Sequence, residues 1–109
     1  MVNYEVHEIS AGHIEVRLDG DLVLGPDGAN VRGCLNPLAE RFPELTVDLS
    51  RLRRIDSTGI GILVTAHAIA DANGNRMRAV NVVGAVREVL LLVKLLAVLS
   101  GPSEIPTAA

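Results

Sequence analysis

The residues with the most chemical potential lie in one run. Asp56-Ser57-Thr58-Gly59 follows three arginines (Arg51, Arg53, Arg54) and precedes an apolar stretch that opens with Ile60. A side-chain oxygen from Ser, Thr or Asp at a helix start accepts from the orphan amides of the first turn. Three such residues in a row exceed what one cap needs, so Ser57 is either a cap or a hydroxyl with a further use. Hydrolytic chemistry would need a base beside it. His67 lies ten residues along the same expected helix, about 15 Å away at 1.5 Å per residue. His7 and His13 fall in a different part of the chain, with no carboxylate cluster and no spacing that pairs them on one helix, so no metal site is expected. Cys34 is the single cysteine, which excludes an intrachain disulfide or a thiolate cluster. The residues offer no catalytic constellation, and an enzyme is not expected.

These groups must be placed by a small α/β domain. The chain has 109 residues, 49 % apolar and 21 % charged, with net charge −3. That suits one domain and excludes a disordered chain. One Lys, two aromatics (Tyr4, Phe42) and a mild acidic balance argue against nucleic-acid binding. The longest apolar stretch, Val89 to Leu99, is broken by Lys94 and falls short of the ~20 residues that span a bilayer. The first ten residues lack the pattern of a signal peptide, and a cytoplasmic protein without membrane insertion is expected.

Alternation over Tyr4–Ile9 and Ile14–Leu18 predicts an antiparallel hairpin around Ala11-Gly12. After the turn-rich Gly25-Pro26-Asp27-Gly28, apolar spacing predicts a helix over Ala29–Phe42, which Pro37 should kink or restart with Asn36 as cap. Thr46–Leu49 reads as a short strand, Ile60–Ala72 as a helix stopped by Asn73-Gly74, Met77–Val83 as a strand and Ala85–Leu96 as a helix. A hairpin followed by βαβα units predicts a mixed sheet whose right-handed crossovers place helices mainly on one face. The domain is expected over 1–100, with 101–109 a flexible tail.

The layout resembles the STAS family, the domain of bacterial anti-sigma factor antagonists. The resemblance rests on Gly20-Asp21-Leu22 after the second strand, on Val47-Asp48-Leu49-Ser50, on Ile55-Asp56-Ser57-Thr58-Gly59-Ile60-Gly61, and on Val80–Val82 with Val86-Arg87-Glu88-Val89-Leu90. It implies that the hydroxyl residue after the Asp, here Ser57, is phosphorylated by an anti-sigma factor that is itself a protein serine kinase, and that a phosphoserine phosphatase resets it. The unphosphorylated form would bind that kinase and free the sigma factor. No cofactor is implied. Asp21, Arg54, Asp56, Ser57, Thr58, Gly59 and Ile60 are the expected partner-binding residues. Asp56 either caps the helix or hydrogen-bonds the loop, or it helps position the hydroxyl and the incoming nucleotide phosphates for the kinase. Thr58 is a first-turn cap, a solvent-facing residue or a secondary phosphorylation site, and Gly59 and Gly61 admit either a partner backbone or tight helix packing. The three arginines form a solvated basic turn or pair with an acidic or phosphorylated group.

The last helix raises an alternative. Val86, Val89, Leu90 and Val93 make its buried stripe, but Leu91, Leu92 and Leu95 widen the apolar surface. Related antagonists carry a polar break with glycine where Lys94 stands. These leucines either support a homodimer or permanent partner, or lie under the tail or beside a final strand at Leu96–Leu99. With a permanent partner, the chain would be a STAS subunit of a membrane transport or signalling complex without a phosphoswitch.

Overall fold

Period-two alternation near the N-terminus produces the expected hairpin in the computed structural model, which describes residues 1–100. Strands β1 (Val2–Ser10) and β2 (His13–Leu22) pair antiparallel from Val2↔Gly20 to Ser10↔His13. Ile14, Val16, Leu18 and Leu22 of β2 are buried in one phase, and Glu15, Arg17 and Asp19 take the other. Helix α1 (Pro26–Arg41) leads to β3 (Glu44–Ile55), and α2 (Ser57–Ala72) leads to β4 (Arg76–Val80). The sheet order is β1-β2-β3-β4, with β2–β3 and β3–β4 parallel. Two right-handed crossovers stepping the same way along a sheet leave their helices on the same face. There α1 and α2 pack on each other and on the sheet, enclosing Val16, Val31, Leu35, Val47, Leu49, Ile62, Leu63 and Ala66. Helices α3 (Gly84–Leu92) and α4 (Leu96–Ser100) complete the described fold, a mixed-sheet α/β domain as expected.

Several boundaries differ from expectation. Helix α1 begins at Pro26 rather than Ala29, because the fixed φ of proline and its missing N–H suit the first helical turn. Pro37 neither ends nor restarts it, and the helix continues to Arg41, so Asn36 caps nothing.

Strand β3 is the largest departure. It runs to Ile55 rather than stopping at Leu49, so Arg51, Arg53 and Arg54 are strand residues and not a basic turn. The parallel register slips twice, with Arg17 and Asp19 opposite Asp48 and Arg51, and Gly20 and Asp21 opposite Leu52 and Arg54. Each slip inserts one extra residue into β3. As a result Leu49, Leu52 and Ile55 are all buried at three-residue spacing, which hides the strand period.

Strand β4 ends at Val80, where Asn81 takes a left-handed φ of 54°, and does not reach Val83. Helix α3 stops at Leu92, four residues short of the expected end. The amide of Lys94 donates to the carbonyl of Leu91 (3.0 Å), that of Leu95 donates to Leu90 (2.9 Å), and Lys94 itself has φ 61°. This is the Schellman closure, with lysine in the left-handed position that glycine fills most easily. The same closure ends α2 with Gly74 in that place, as Asn73-Gly74 led one to expect. Leu96–Leu99 form α4 rather than a strand. The expected tail at 101–109 lies outside the described residues.

Candidate functional site

Parallel strands β2 and β3 end side by side, with Leu22 paired to Ile55 and Asp21 to Arg54. The candidate residues therefore gather at the carboxyl edge of the sheet, where open α/β sheets present their sites. Asp56 makes the first contact after β3. Its backbone is extended, and its Oδ1 accepts from the amide of Gly59 at 3.0 Å, which makes it the N-cap of α2. Its Oδ2 accepts from the amide of Leu24 at 2.8 Å, fastening the β2–α1 loop to the same point. The amides of Leu24 and Gly59 together hold the Asp56 carboxyl below the usual carboxylate range.

With Asp56 as cap, Ser57 is released from that duty. It is the first residue of α2 and is exposed. Thr58 and Ile60 follow, half-buried. The first turn of α2 contains no acidic residue of its own, and the Asp56 carboxylate caps its positive end.

Gly59 is buried beneath this turn. A Cβ there would lie 2.1 Å from the carbonyl oxygen of Leu22 and 2.7 Å from Cγ1 of Ile55, whereas a Cβ on Gly61 meets nothing within 4 Å. Close packing of α2 on the end of β2 therefore demands glycine at 59. Gly61 is exposed on the next turn.

The charges beside this turn form a small network. Asp21 lies 3.9 Å from Nε of Arg53 and next to Arg54 in the register. Leu24, 79 % exposed, stands on the loop that Asp56 fastens. Sequence reasoning passed over Leu24, although a large aliphatic residue within the turn-rich Gly20–Gly28 segment was a signal for it. Farther back on β3, Asp48 is buried. Burial alone would raise its carboxyl, but the amide and hydroxyl of Ser50, the side chain of Asn81 and the charge of Arg17 outweigh that and hold it low.

The three histidines and the cysteine stand elsewhere. His13 shares a 2.7 Å hydrogen bond with Oγ1 of Thr46, His7 stands 3.7 Å from Glu5, and His67 stands 3.7 Å from Asp71 one turn along α2. Cys34 packs half-buried against the core, where burial pushes its thiol up. Among the described residues no three His, Cys, Asp or Glu converge as a metal site, and no helix is long and apolar enough to cross a membrane.

A family profile described as the Mlab-type STAS domain matches residues 7–100. The chain belongs to the STAS family. Its fold is shared by several solved structures. The phosphorylated form of the Bacillus cell fate determinant SpoIIAA is 18 % identical, with TM-score 0.70 over 90 % of this chain and 88 % of that one. An anti-sigma factor antagonist from Mycobacterium paratuberculosis is 19 % identical, with TM-score 0.69 over 87 % and 80 %. A sulfate transporter family protein from Wolinella succinogenes is 17 % identical, with TM-score 0.72 over 86 % and 76 %. No curated protein sequence matches the chain. At these identities the likeness establishes the STAS fold, the one that anti-sigma factor antagonists share with a transporter-family domain.

Proposed function

We propose that the protein is a cytoplasmic anti-sigma factor antagonist, a binding module without catalysis of its own. In its unphosphorylated form it binds an anti-sigma factor of the serine kinase type and thereby frees the sigma factor. Phosphorylation of Ser57 ends the binding, and a phosphoserine phosphatase restores it. One observation carries this reading: Asp56 caps α2, so the neighbouring Ser57 hydroxyl is exposed at the helix start and free to accept a phosphoryl group. The solved likeness to SpoIIAA in phosphorylated and unphosphorylated forms supports it.

The physical consequence of phosphorylation follows from the position. A phosphate adds a charge of about −1.5 to −2 at pH 7. The N-terminal amides of α2 stabilise that charge, so the fold persists. The contact surface changes instead: Leu24, Thr58 and Ile60, with Asp21 and Arg54 at their border, gain an anion in their midst. A partner that buries this surface would have to desolvate it. Incubation with a kinase-type anti-sigma factor and ATP, followed by intact-mass measurement, tests the reading. One phosphate on the wild type and on Thr58→Ala, and none on Ser57→Ala, is expected. Phosphate retained by Ser57→Ala would refute Ser57 as acceptor.

A second reading is favoured by a separate observation. Leu92 is 81 % exposed at the end of α3, with Val93 and Val98 also exposed, and Leu91 and Leu95 half-buried beside them. That surface would suit a permanent partner, and the likeness to a sulfate transporter family protein fits a STAS subunit of a transport or signalling complex. Co-purification with membrane transport subunits, abolished by Leu92→Lys and unaffected by Ser57→Ala, is the result this reading requires.

A further inference from the structure

β1 forms one edge of the sheet. Natural edges are blunted by Pro, by charged side chains and above all Lys, by shortness, by bulges or by a covering helix or loop. The nine residues Val2–Ser10 contain neither Pro nor Lys, their charges are Glu5 and Glu8, the amide of Val2 donates to Oδ2 of Asp27 at 3.4 Å, and their one irregularity lies at the hairpin end, between Glu8 and Ser10. Every residue after Val2 is exposed. The register sets Tyr4 and Val6 opposite Leu18 and Val16, on the apolar face of the sheet, yet Tyr4 and Val6 are 42 % and 47 % exposed. The other phase carries Asn3, Glu5 and His7, with Glu5 Oε2 3.7 Å from Nε2 of His7.

We propose that β1 pairs antiparallel with β1 of a second copy of this chain, about a twofold axis at Val6, joining two four-stranded sheets into one. The twofold axis keeps like faces together, so opposing residue numbers must sum to an even value. A register centred on Glu5 sets two carboxylates against each other. One centred on His7 sets the two imidazoles together. The register centred on Val6 sets Glu5 opposite His7 of the second copy, twice over, Val6 opposite Val6, and Tyr4 opposite Glu8 at the flanks. Cross-strand pairs of opposite character stabilise a ladder, whereas like charges directly opposite oppose it. Val6 is also the midpoint of Val2–Ser10, so this register alone overlaps the whole strand. The start of α2 stands at the end of β3, on the far side of β2 from this edge, and stays open in both copies. The interface is independent of the role assigned to Ser57 and of the leucines at the end of α3.

Cysteine cross-linking in a Cys34→Ala background reads the register directly. Opposed residues of an antiparallel pair have Cα atoms about 4.5 to 5.5 Å apart, within disulfide reach. Val6→Cys should therefore give a covalent dimer on mild oxidation. Tyr4→Cys, whose two copies would be offset by four residues or about 13 Å, should not. In sedimentation, the wild type should reach twice 11.5 kDa as concentration rises. Val6→Lys should stay monomeric, His7→Glu should dissociate about tenfold more readily, and Glu5→Lys combined with His7→Glu should recover association. Thermal melts establish that each variant is folded. A wild type that remains at 11.5 kDa at millimolar concentration overturns the proposal. So does equal cross-linking by Tyr4→Cys and Val6→Cys, or a dimer lost with Leu92→Lys and kept with Val6→Lys.

Discussion

Replacing Gly59 and Gly61 separately by alanine measures how closely α2 is seated on the end of β2. Both glycines lie in the first two turns of one helix, so alanine brings each the same propensity gain of about 1 kcal/mol. They differ in what the new methyl meets. At Gly61 it meets nothing within 4 Å, and Gly61→Ala should stabilise the protein by most of that gain. At Gly59 it would lie 2.1 Å from the Leu22 carbonyl oxygen and must retreat about 1.3 Å to reach the ordinary contact distance of 3.4 Å. Cγ1 of Ile55 at 2.7 Å and Cγ of Leu22 at 3.0 Å block the retreat. Overpacking of this kind costs about 1 to 3 kcal/mol, and a backbone obstacle places it at the upper end. Subtracting one variant from the other cancels the propensity term and leaves the clash, about 3 kcal/mol. For a domain of this size that separates the two melting temperatures by roughly 12 °C or more. Urea unfolding gives the same difference from the shift in midpoint at constant slope. If the two variants agree within about 0.5 kcal/mol, α2 does not begin against Leu22 and the placement of Ser57 is wrong.

Other expectations follow from the same geometry. Asp56→Ala should lower the melting temperature more than Asp56→Asn, because asparagine keeps an acceptor for the Gly59 amide. Asp48 and Asp56 have carboxyls held low in the folded state, so their stabilisation is complete above the unfolded value of about 3.9 and is lost as pH falls through the lower folded values. Denaturant titrations should accordingly show stability falling below about pH 4, with a shallower fall for Asp56→Asn. Lys94→Gly should raise stability by about 0.5 to 1 kcal/mol in a thermal melt, because a left-handed lysine costs more than the extra chain entropy of glycine. Ser57→Asp should change stability by no more than about 0.5 kcal/mol while weakening capture by the kinase in a pull-down.

Local patterns announced the elements whose burial follows one period. Ile14, Val16 and Leu18 alternate cleanly, and the hairpin was legible from them. Asn73-Gly74 marked a helix end because only a residue tolerant of positive φ closes a helix in that way. β3 was legible only in its first half. Two inserted residues move Leu49, Leu52 and Ile55 onto one face at a spacing of three, and a bulge is a property of two strands that neither strand states alone. The end of α3 was hidden for a related reason, since lysine at 94 gives no sign of a left-handed conformation and the leucines on either side continue a helical spacing. At the site, the run Asp56–Gly59 was conspicuous, but its division of labour was not. Which oxygen caps α2 depends on the backbone angle at Asp56 and on the Leu24 amide arriving from a loop 32 residues earlier.

Whether the phosphate on Ser57 ends partner binding is read by calorimetric titration of a kinase-type anti-sigma factor with two forms of the protein. The forms are the unmodified chain and the chain carrying phosphate on Ser57, both shown by circular dichroism to be folded. Tight binding of the unmodified form, with binding by the phosphorylated form weakened by two orders of magnitude or about 2.7 kcal/mol, is the predicted result. Equal affinity of the two folded forms would show that Ser57 is not the switch.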